Sequence, residues 1–108
     1  MNSALLCLPF DLEIEAFAAH SGLSRCSTTA QELWLDILEE AFCAGSLHVG
    51  ALDAVASHLG VERVALYPHL DELVTRRVFG VTRNGQMRPI EADYLCVDFW
   101  RRVQHSPA

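Results

Sequence analysis

Lysine is absent from this sequence, so its positive charge comes from arginine alone. Eight basic residues face fourteen acidic ones, and the formal net charge is −6. Residues 1–45 hold seven acids and one base, Arg25, whereas residues 46–108 hold seven acids and seven arginines. We expect the first part to repel a phosphate backbone, while the arginine-bearing part could still meet one locally.

Long apolar runs are missing as well. No stretch approaches the roughly 18 residues of a membrane span, so we expect no membrane association. The apolar start of the chain is not preceded by a basic residue and is soon followed by acids, which argues against a signal peptide. With 108 residues and 51% hydrophobic content, the sequence predicts one compact cytoplasmic domain.

The motifs that metal binding and catalysis require are also absent. None of the four cysteines forms a C-x-x-C pair, so we expect free thiols rather than a zinc site. Burial as small apolar side chains accounts for them, with redox sensing as the open alternative. No nucleophile motif, glycine-rich phosphate loop or metalloprotease helix occurs. We therefore expect no catalytic residue, no metal and no cofactor.

Apolar residues at helical spacing predict five helices, over residues 10–21, 29–44, 51–59, 62–75 and 92–104. Thr29 and Glu32 are placed as a capping box at the start of the second helix. Gly22 and Gly45 are expected to end the first two helices. Residues 24–29 are predicted to form a polar loop.

Asn84-Gly85 is a strong hairpin signal between predicted strands 77–81 and 86–90, and residues 47–49 could add a third strand. A helix that ends at Gly60, a second helix and then a hairpin follow the order of a winged helix-turn-helix. The predicted fold class is mainly α with a small β-wing (α+β), a winged helix-turn-helix with extra N- and C-terminal helices. Its parts are an extension (1–28), a core (29–90) and a C-terminal helix and tail (91–108).

One internal similarity links the first helix to the predicted helix-turn-helix. Residues 16–25 parallel residues 54–63, with His20 matching His58 and Gly22 matching Gly60. Two explanations remain open at this point. Either the chain contains a degenerate second helix-turn, or a similar helix-glycine composition arose by chance.

From about Gln31 to Leu95 the sequence resembles the C-terminal DNA-binding domain of the cyclic-AMP receptor and fumarate-nitrate regulator family. The matching pieces are Leu52-Asp-Ala-Val-Ala-Ser-His-Leu-Gly60, Leu70-Asp-Glu-Leu73, Val78-Phe79 and Met87-Arg-Pro-Ile-Glu-Ala-Asp-Tyr-Leu95. The resemblance implies a winged helix that reads duplex DNA. Only about thirty residues precede the match, so we expect no effector-binding sensor domain, and no cyclic nucleotide is implied.

The predicted recognition helix departs from that family. The family has a polar Ser-Arg-Glu-Thr-like run after the turn, where this chain has Glu62-Arg63-Val64-Ala65, and Pro68 replaces a later arginine. A proline inside a helix costs ~3 kcal/mol. It is tolerated if the regular helix starts near Tyr67 and residues 62–66 form a looser turn.

The predicted DNA-binding residues are Arg63, Tyr67, His69, Arg76, Arg77, Arg83, Asn84, Gln86 and Arg88. Arg63 could bind a guanine edge, or instead pair with Glu62 or Asp71. Tyr67 and His69 flank the proline and could also rim a partner contact. Arg76 and Arg77 could bind phosphate or stabilise a helix C-terminus. The wing is lined by Arg83, Asn84, Gln86 and Arg88. These residues could contact phosphate, or they could form a solvated hairpin tip.

Two functions follow from these residues. The first is a small winged-helix transcriptional regulator that binds DNA as a homodimer. The second is a winged-helix module that binds a protein of nucleic-acid machinery, for example as an anti-CRISPR-type inhibitor. The acidic first half, Pro68 and the apolar run at residues 64–67 favour the second. Tyr94, Phe99 and Trp100 could be core or part of a dimer seam.

Overall fold

The computed structural model describes residues 12–95, 99 and 101. Within these residues the chain forms α1 (Ile14–Ala19), α2 (Thr28–Ala44), α3 (Ala51–Leu59), α4 (Tyr67–Thr75), β1 (Phe79–Val81) and β2 (Met87–Pro89). Short 3₁₀ turns occupy Leu23–Arg25, Arg63–Leu66 and Ala92–Tyr94. The described residues are thus mostly helical with a small antiparallel sheet, which confirms the predicted α+β class.

Helix α2 is the centre of the hydrophobic core, and α3 and α4 pack against it. Trp34, Ile37 and Leu38 on α2 are fully buried. The Trp34 ring stacks on Phe79 with centroids 5.0 Å apart, and its Nε1–H donates to the Tyr94 hydroxyl at 3.0 Å. This side chain therefore joins α2 both to the sheet and to the residues that follow it.

The start of α2 differs from the predicted capping box. Ser27, not Thr29, is the N-cap, and its Oγ accepts from the Ala30 amide at 3.2 Å. The backbone and hydroxyl of Ser27 donate to the Glu72 carboxylate on α4. Glu72 therefore does what was expected of Glu32, because a capping carboxylate can come from a distant helix as well as from the N3 position.

This cap gives a testable pH dependence. Hydrogen bonds from the Ser27 backbone and side chain hold the pKa of Glu72 below its ordinary 4.5. A depressed folded-state pKa stabilises the fold above the unfolded pKa, and that contribution is lost as the pH falls through the folded pKa. We expect the free energy of unfolding to decrease below about pH 4.5, and to decrease less in Glu72→Gln. Urea denaturation over this range measures it, with exposed Glu62→Gln as control. A pH profile that Glu72→Gln leaves unchanged would contradict the prediction.

The helix predicted over 62–75 forms two pieces. A 3₁₀ turn covers Arg63–Leu66, and α4 starts at Tyr67 with Pro68 in its first turn. The looser turn allowed for at the sequence level is thus confirmed. Pro68 costs α4 no hydrogen bond, because amides in the first helical turn have no intrahelical acceptor.

The hairpin is shorter than its predicted strands. Strand β1 pairs antiparallel with β2 in the register Phe79↔Pro89 and Val81↔Met87. Strand pairing begins only at Phe79 because the residues before it form the C-terminal end of α4. The Val78 amide donates to the Leu73 carbonyl at 2.9 Å, as in a Schellman motif. Residues 47–49 contribute an isolated bridge, His48↔Gln86, rather than a full third strand.

Both ends of the described chain differ from prediction. α1 ends at Ala19, and the supposed loop 24–29 contains most of a 3₁₀ turn and the first residues of α2. At the other end a 3₁₀ turn replaces the start of the helix predicted over 92–104. Leu95 is extended because it bridges Leu12. Phe99 and Arg101 are helical, and the rest of 96–104 lies outside the described residues.

Tyr94 and Phe99 belong to the core of a single chain rather than to a dimer seam. Both are fully buried. Tyr94 contacts Phe17 edge-on with ring centroids 5.4 Å apart, and Phe99 stacks on Phe42 at 5.9 Å. Trp100 lies outside the described residues. In the part of the chain that is described, none of the helices has the length and apolar content to cross a membrane.

Candidate functional site

The predicted DNA-binding residues lie at three separate places. The 3₁₀ turn before α4 and the first turn of α4 carry Arg63, Tyr67 and His69. Arg76 and Arg77 follow the end of α4, and the hairpin carries Arg83, Asn84, Gln86 and Arg88. At 1.5 Å per residue, the nine residues of α4 separate its two ends by about 13 Å. The structure therefore does not gather these nine residues into one site.

Arg63 pairs with a carboxylate that the sequence analysis did not consider. Its Nη1 lies 3.2 Å from Asp53 Oδ1 on α3, so Arg63 does pair with a nearby acid, but the partner is Asp53 rather than Glu62 or Asp71. The pair is solvent-exposed on the acidic side, and such pairs contribute only ~0–1 kcal/mol. A base contact by Arg63 would first have to break it.

Tyr67 and His69 point to different sides of α4. Two residues along a helix correspond to a rotation of about 200°. Tyr67 is half exposed beside the hairpin, whereas His69 is close enough to Glu72 to help lower the pKa of that carboxyl. These two residues therefore do not share a surface.

The hairpin tip is held by a residue that sequence reasoning left unassigned. His48 Nε2–H donates to the Asn84 carbonyl at 2.8 Å, and the Asn84 side chain bonds the Thr82 hydroxyl. A Cβ on Gly85 would lie 2.8 Å from His48 Nε2, so the imidazole packs directly on the turn. Arg83 and Arg88 are exposed and make no ion pair with any other described residue.

An open apolar groove of about 720 Å³ lies between α4 and the hairpin. We call it the α4–hairpin groove, and its lining residues are Val49, Leu52, Val64, Tyr67, Pro68, Leu70, Asp71, Val74, Phe79, Val81 and Met87. Among them Val64 is 58% exposed, Val81 50% and Tyr67 49%. Contiguous exposed apolar surface of this kind typically marks an interaction site.

Sequence reasoning found only part of this groove. The leucines of the predicted helix 62–75 are its expected inward face, and of these Leu66 and Leu73 are buried and Leu70 is half-buried. Tyr67, Leu70 and Val74 recur at i, i+3 and i+7, which is the signal of a second apolar stripe on α4. The sequence gives no comparable indication for Val81. This residue lies on β1, and only the tertiary fold brings it next to α4.

Asp71 is the only acid or base among the lining residues. It is exposed and makes no ion pair within the part of the chain that the structure describes. A negative charge beside apolar walls is attracted to a cationic group that arrives together with apolar surface.

The described cysteines do not form a metal site. Cys26 is buried, and burial together with the charge of Glu72 raises the pKa of its thiol, whereas Cys43 is exposed. The described residues contain no group of three His, Cys, Asp or Glu side chains that could hold a metal ion. Cys7 and Cys96 lie outside the described residues.

The chain matches no protein-family model, no curated protein and no solved structure in these comparisons. The choice between the two predicted functions therefore depends on the geometry of the site. That geometry combines an apolar groove, an unpaired Asp71 and an Arg63 already held by Asp53.

Proposed function

We propose that this chain is a protein-binding module of the winged-helix type, and that its α4–hairpin groove takes an apolar segment of another protein. The observation that carries the proposal is the groove itself, with Val64, Tyr67 and Val81 exposed along it. Burying such side chains against a partner gains about 25 cal/mol per Å² of apolar area.

The order of the elements supports the winged-helix part of the proposal. Helix α3 ends at Gly60 in the left-handed conformation (φ 71°), α4 follows, and the hairpin comes next. In a winged helix that reads DNA, the second of these helices enters the major groove. Here the corresponding face of α4 is apolar and includes Asp71, a combination better suited to a protein than to a phosphate backbone.

The lining of the groove also supports a particular chemistry for the partner. Its walls are aliphatic and aromatic, which favours a segment with apolar side chains at alternating or helical spacing. Asp71 favours a lysine or arginine next to them, and the net charge of −6 would attract a basic partner at longer range. We therefore expect an apolar segment that carries a basic residue.

Selection from a random peptide display library tests this pairing. The wild-type chain is expected to select peptides with several apolar residues and a Lys or Arg. Asp71→Lys is expected to keep the apolar preference and to exchange the basic residue for Asp or Glu, because the charge at the groove is reversed. Selected peptides without apolar enrichment, or identical selections from the two proteins, would contradict the proposal.

A charge placed in the groove provides the second readout. Val74 is 43% exposed in the groove and Ile14 is 45% exposed on α1, away from it. Val74→Glu is expected to weaken the best selected peptide by about tenfold or more, because binding would bury an unpaired carboxylate. Ile14→Glu, the matched control, is expected to leave affinity unchanged. Equal affinities for both variants would place the peptide elsewhere.

DNA binding remains the second candidate, favoured by the exposed and unpaired Arg83 and Arg88 on the hairpin. Fluorescence anisotropy against random duplex DNA at about 50 and about 200 mM salt separates the two functions. A DNA-reading protein would lose affinity steeply with salt and again in Arg63→Ala and Arg83→Ala. We expect no such binding if the groove serves a protein partner.

A further inference from the structure

A second cavity, of about 220 Å³, lies at the end of α4, away from the groove. We call it the arginine cavity, and the residues that the argument uses are Ser21, Arg25, Thr75, Arg76, Arg77 and Glu91. It shares no lining residue with the α4–hairpin groove, so its ligand is independent of the proposed function. Three segments far apart in the sequence meet here: the 3₁₀ turn after α1, the end of α4, and the residues after β2.

The three guanidinium groups at this cavity have no carboxylate partner. Within the described residues none of Arg25, Arg76 and Arg77 makes an ion pair. One carboxylate, Glu91, also lines the cavity and accepts from the Ser21 hydroxyl at 3.0 Å, whereas Glu72 is not a lining residue and accepts from Ser27. The cavity therefore concentrates positive charge in a chain whose net charge is negative.

This positive charge favours the ionised form of the nearby acids. Glu91 has a lowered pKa, first because Ser21 donates to it and also because Arg77 is near. Glu72 has a lowered pKa mainly through Ser27, with a contribution from Arg76. Both carboxyls therefore favour the ionised form, and the lining of the cavity combines three arginines with one negative charge, that of Glu91.

The backbone at the cavity is held in unusual conformations. Arg77 (φ 61°) and Glu91 (φ 53°) are the two non-glycine residues with positive φ in the described chain, and both line this cavity. A left-handed conformation costs a residue with a Cβ roughly 1–2 kcal/mol. Arg77 is the left-handed residue of the motif that ends α4, so its conformation follows from the helix end.

We propose that the arginine cavity binds a phosphate monoester group. Such a group carries a charge of roughly −1.5 to −2 near pH 7, which matches three unpaired guanidinium groups better than a carboxylate or a diester does. Guanidinium forks bind its oxygens in pairs, and the hydroxyl of Thr75, which also lines the cavity, is at hand as a further donor. A cavity of this size takes one such group rather than a run of duplex backbone.

Isothermal titration of the full chain at low salt tests the proposal, with inorganic phosphate and phenyl phosphate as probes. Both are expected to bind, and acetate and dimethyl phosphate are expected to bind at least tenfold more weakly, because each carries a single charge. Arg25→Gln and Arg77→Gln are each expected to weaken phosphate binding by about tenfold, the loss of one charge-assisted contact. Arg25 lies on an exposed 3₁₀ turn, so its substitution leaves the strained backbone unchanged.

The control is Arg83→Gln, which removes the same charge from the exposed hairpin tip. Its phosphate affinity is expected to stay within about twofold of wild type, since Arg83 does not line the cavity and its charge acts on it only weakly through water. Three results would each overturn the proposal: no phosphate binding, equal affinity for acetate or dimethyl phosphate, or equal weakening by Arg83→Gln. The last would show attraction to total charge rather than to this cavity.

Discussion

Gly22→Ala is expected to lower the free energy of unfolding by about 3 kcal/mol, the upper part of the range for overpacked sites. A Cβ at position 22 would lie 1.9 Å from the Arg76 carbonyl oxygen and 3.0 Å from its carbonyl carbon. That neighbour is backbone, so it cannot rotate away. Relief requires the turn after α1 to separate from the end of α4, and neither segment can move without breaking other contacts.

The matched control for this substitution is Gly80→Ala. Nothing lies within 4 Å of a Cβ at position 80. The change is therefore expected to alter stability by no more than about 1 kcal/mol, in either direction. Chemical denaturation of both variants measures the difference. If the two substitutions had equal effects, the close approach of Gly22 to Arg76 would not contribute to stability.

His20→Ala is expected to cost about 3 kcal/mol, because it removes the partner of three backbone groups at once. His20 is 3% exposed, and its Nε2–H donates to the Ile90 carbonyl at 2.6 Å. Its Nδ1 accepts from the amides of Gly22 and Leu23, each at 3.1 Å. The ring is therefore neutral with its proton on Nε2, and the Nδ1–Glu91 distance of 3.7 Å is not an ion pair.

Two comparison variants separate these hydrogen bonds from simple loss of volume. His20→Asn keeps an acceptor close to the Nδ1 position but does not reach Ile90, so it is expected to lose about half as much stability. His58→Ala changes an exposed histidine that matches His20 in the sequence similarity, and is expected to stay within about 0.5 kcal/mol of wild type. If His20→Asn were as damaging as His20→Ala, the Nδ1 contacts would contribute nothing.

Local signals explain which parts of the fold could be predicted. Helix α3 has the predicted bounds, and Gly45 and Gly60 end their helices as predicted, both in the left-handed conformation. Each of these features depends on neighbours within a few residues. Asn84-Gly85 forms its turn for the same reason, with Gly85 at φ 84°. The α+β class follows from these elements.

The failures have a common physical cause, which is a partner far away in the chain. Gly22 has a right-handed φ of −72°, so it is required by the contact with Arg76 and not by a helix end. The similarity between residues 16–25 and 54–63 therefore does not extend to the glycine conformation, since Gly60 is left-handed. It also gave no indication that His20 would be buried and His58 exposed.

In the candidate site, too, the residues set by local sequence could be predicted and those set by distant contacts could not. The helix-turn-helix pattern identified Arg63, Pro68 and the hairpin residues from the sequence. The apolar run at residues 64–67 already suggested a protein-binding surface. Val81 could not be assigned to the groove, because only the fold brings β1 beside α4. Arg25 could not be joined to Arg76 and Arg77, because about fifty positions separate them in the sequence.

The first described residues are hydrogen-bonded to residues near the end of the described chain. These contacts constrain the order in which the protein can fold during its synthesis. The Glu13 backbone amide donates to the Tyr94 carbonyl, and Leu12 forms a β-bridge with Leu95. The His20 side chain donates to the carbonyl of Ile90, a residue 70 positions later. During synthesis on the ribosome, α1 cannot pack until these partners have been made. Until then the apolar side chains of Phe17 and Leu23 stay exposed to solvent. We expect nascent chains that stop before position 90 to be held by chaperones and cleaved by proteases, however well α2 and α3 have formed.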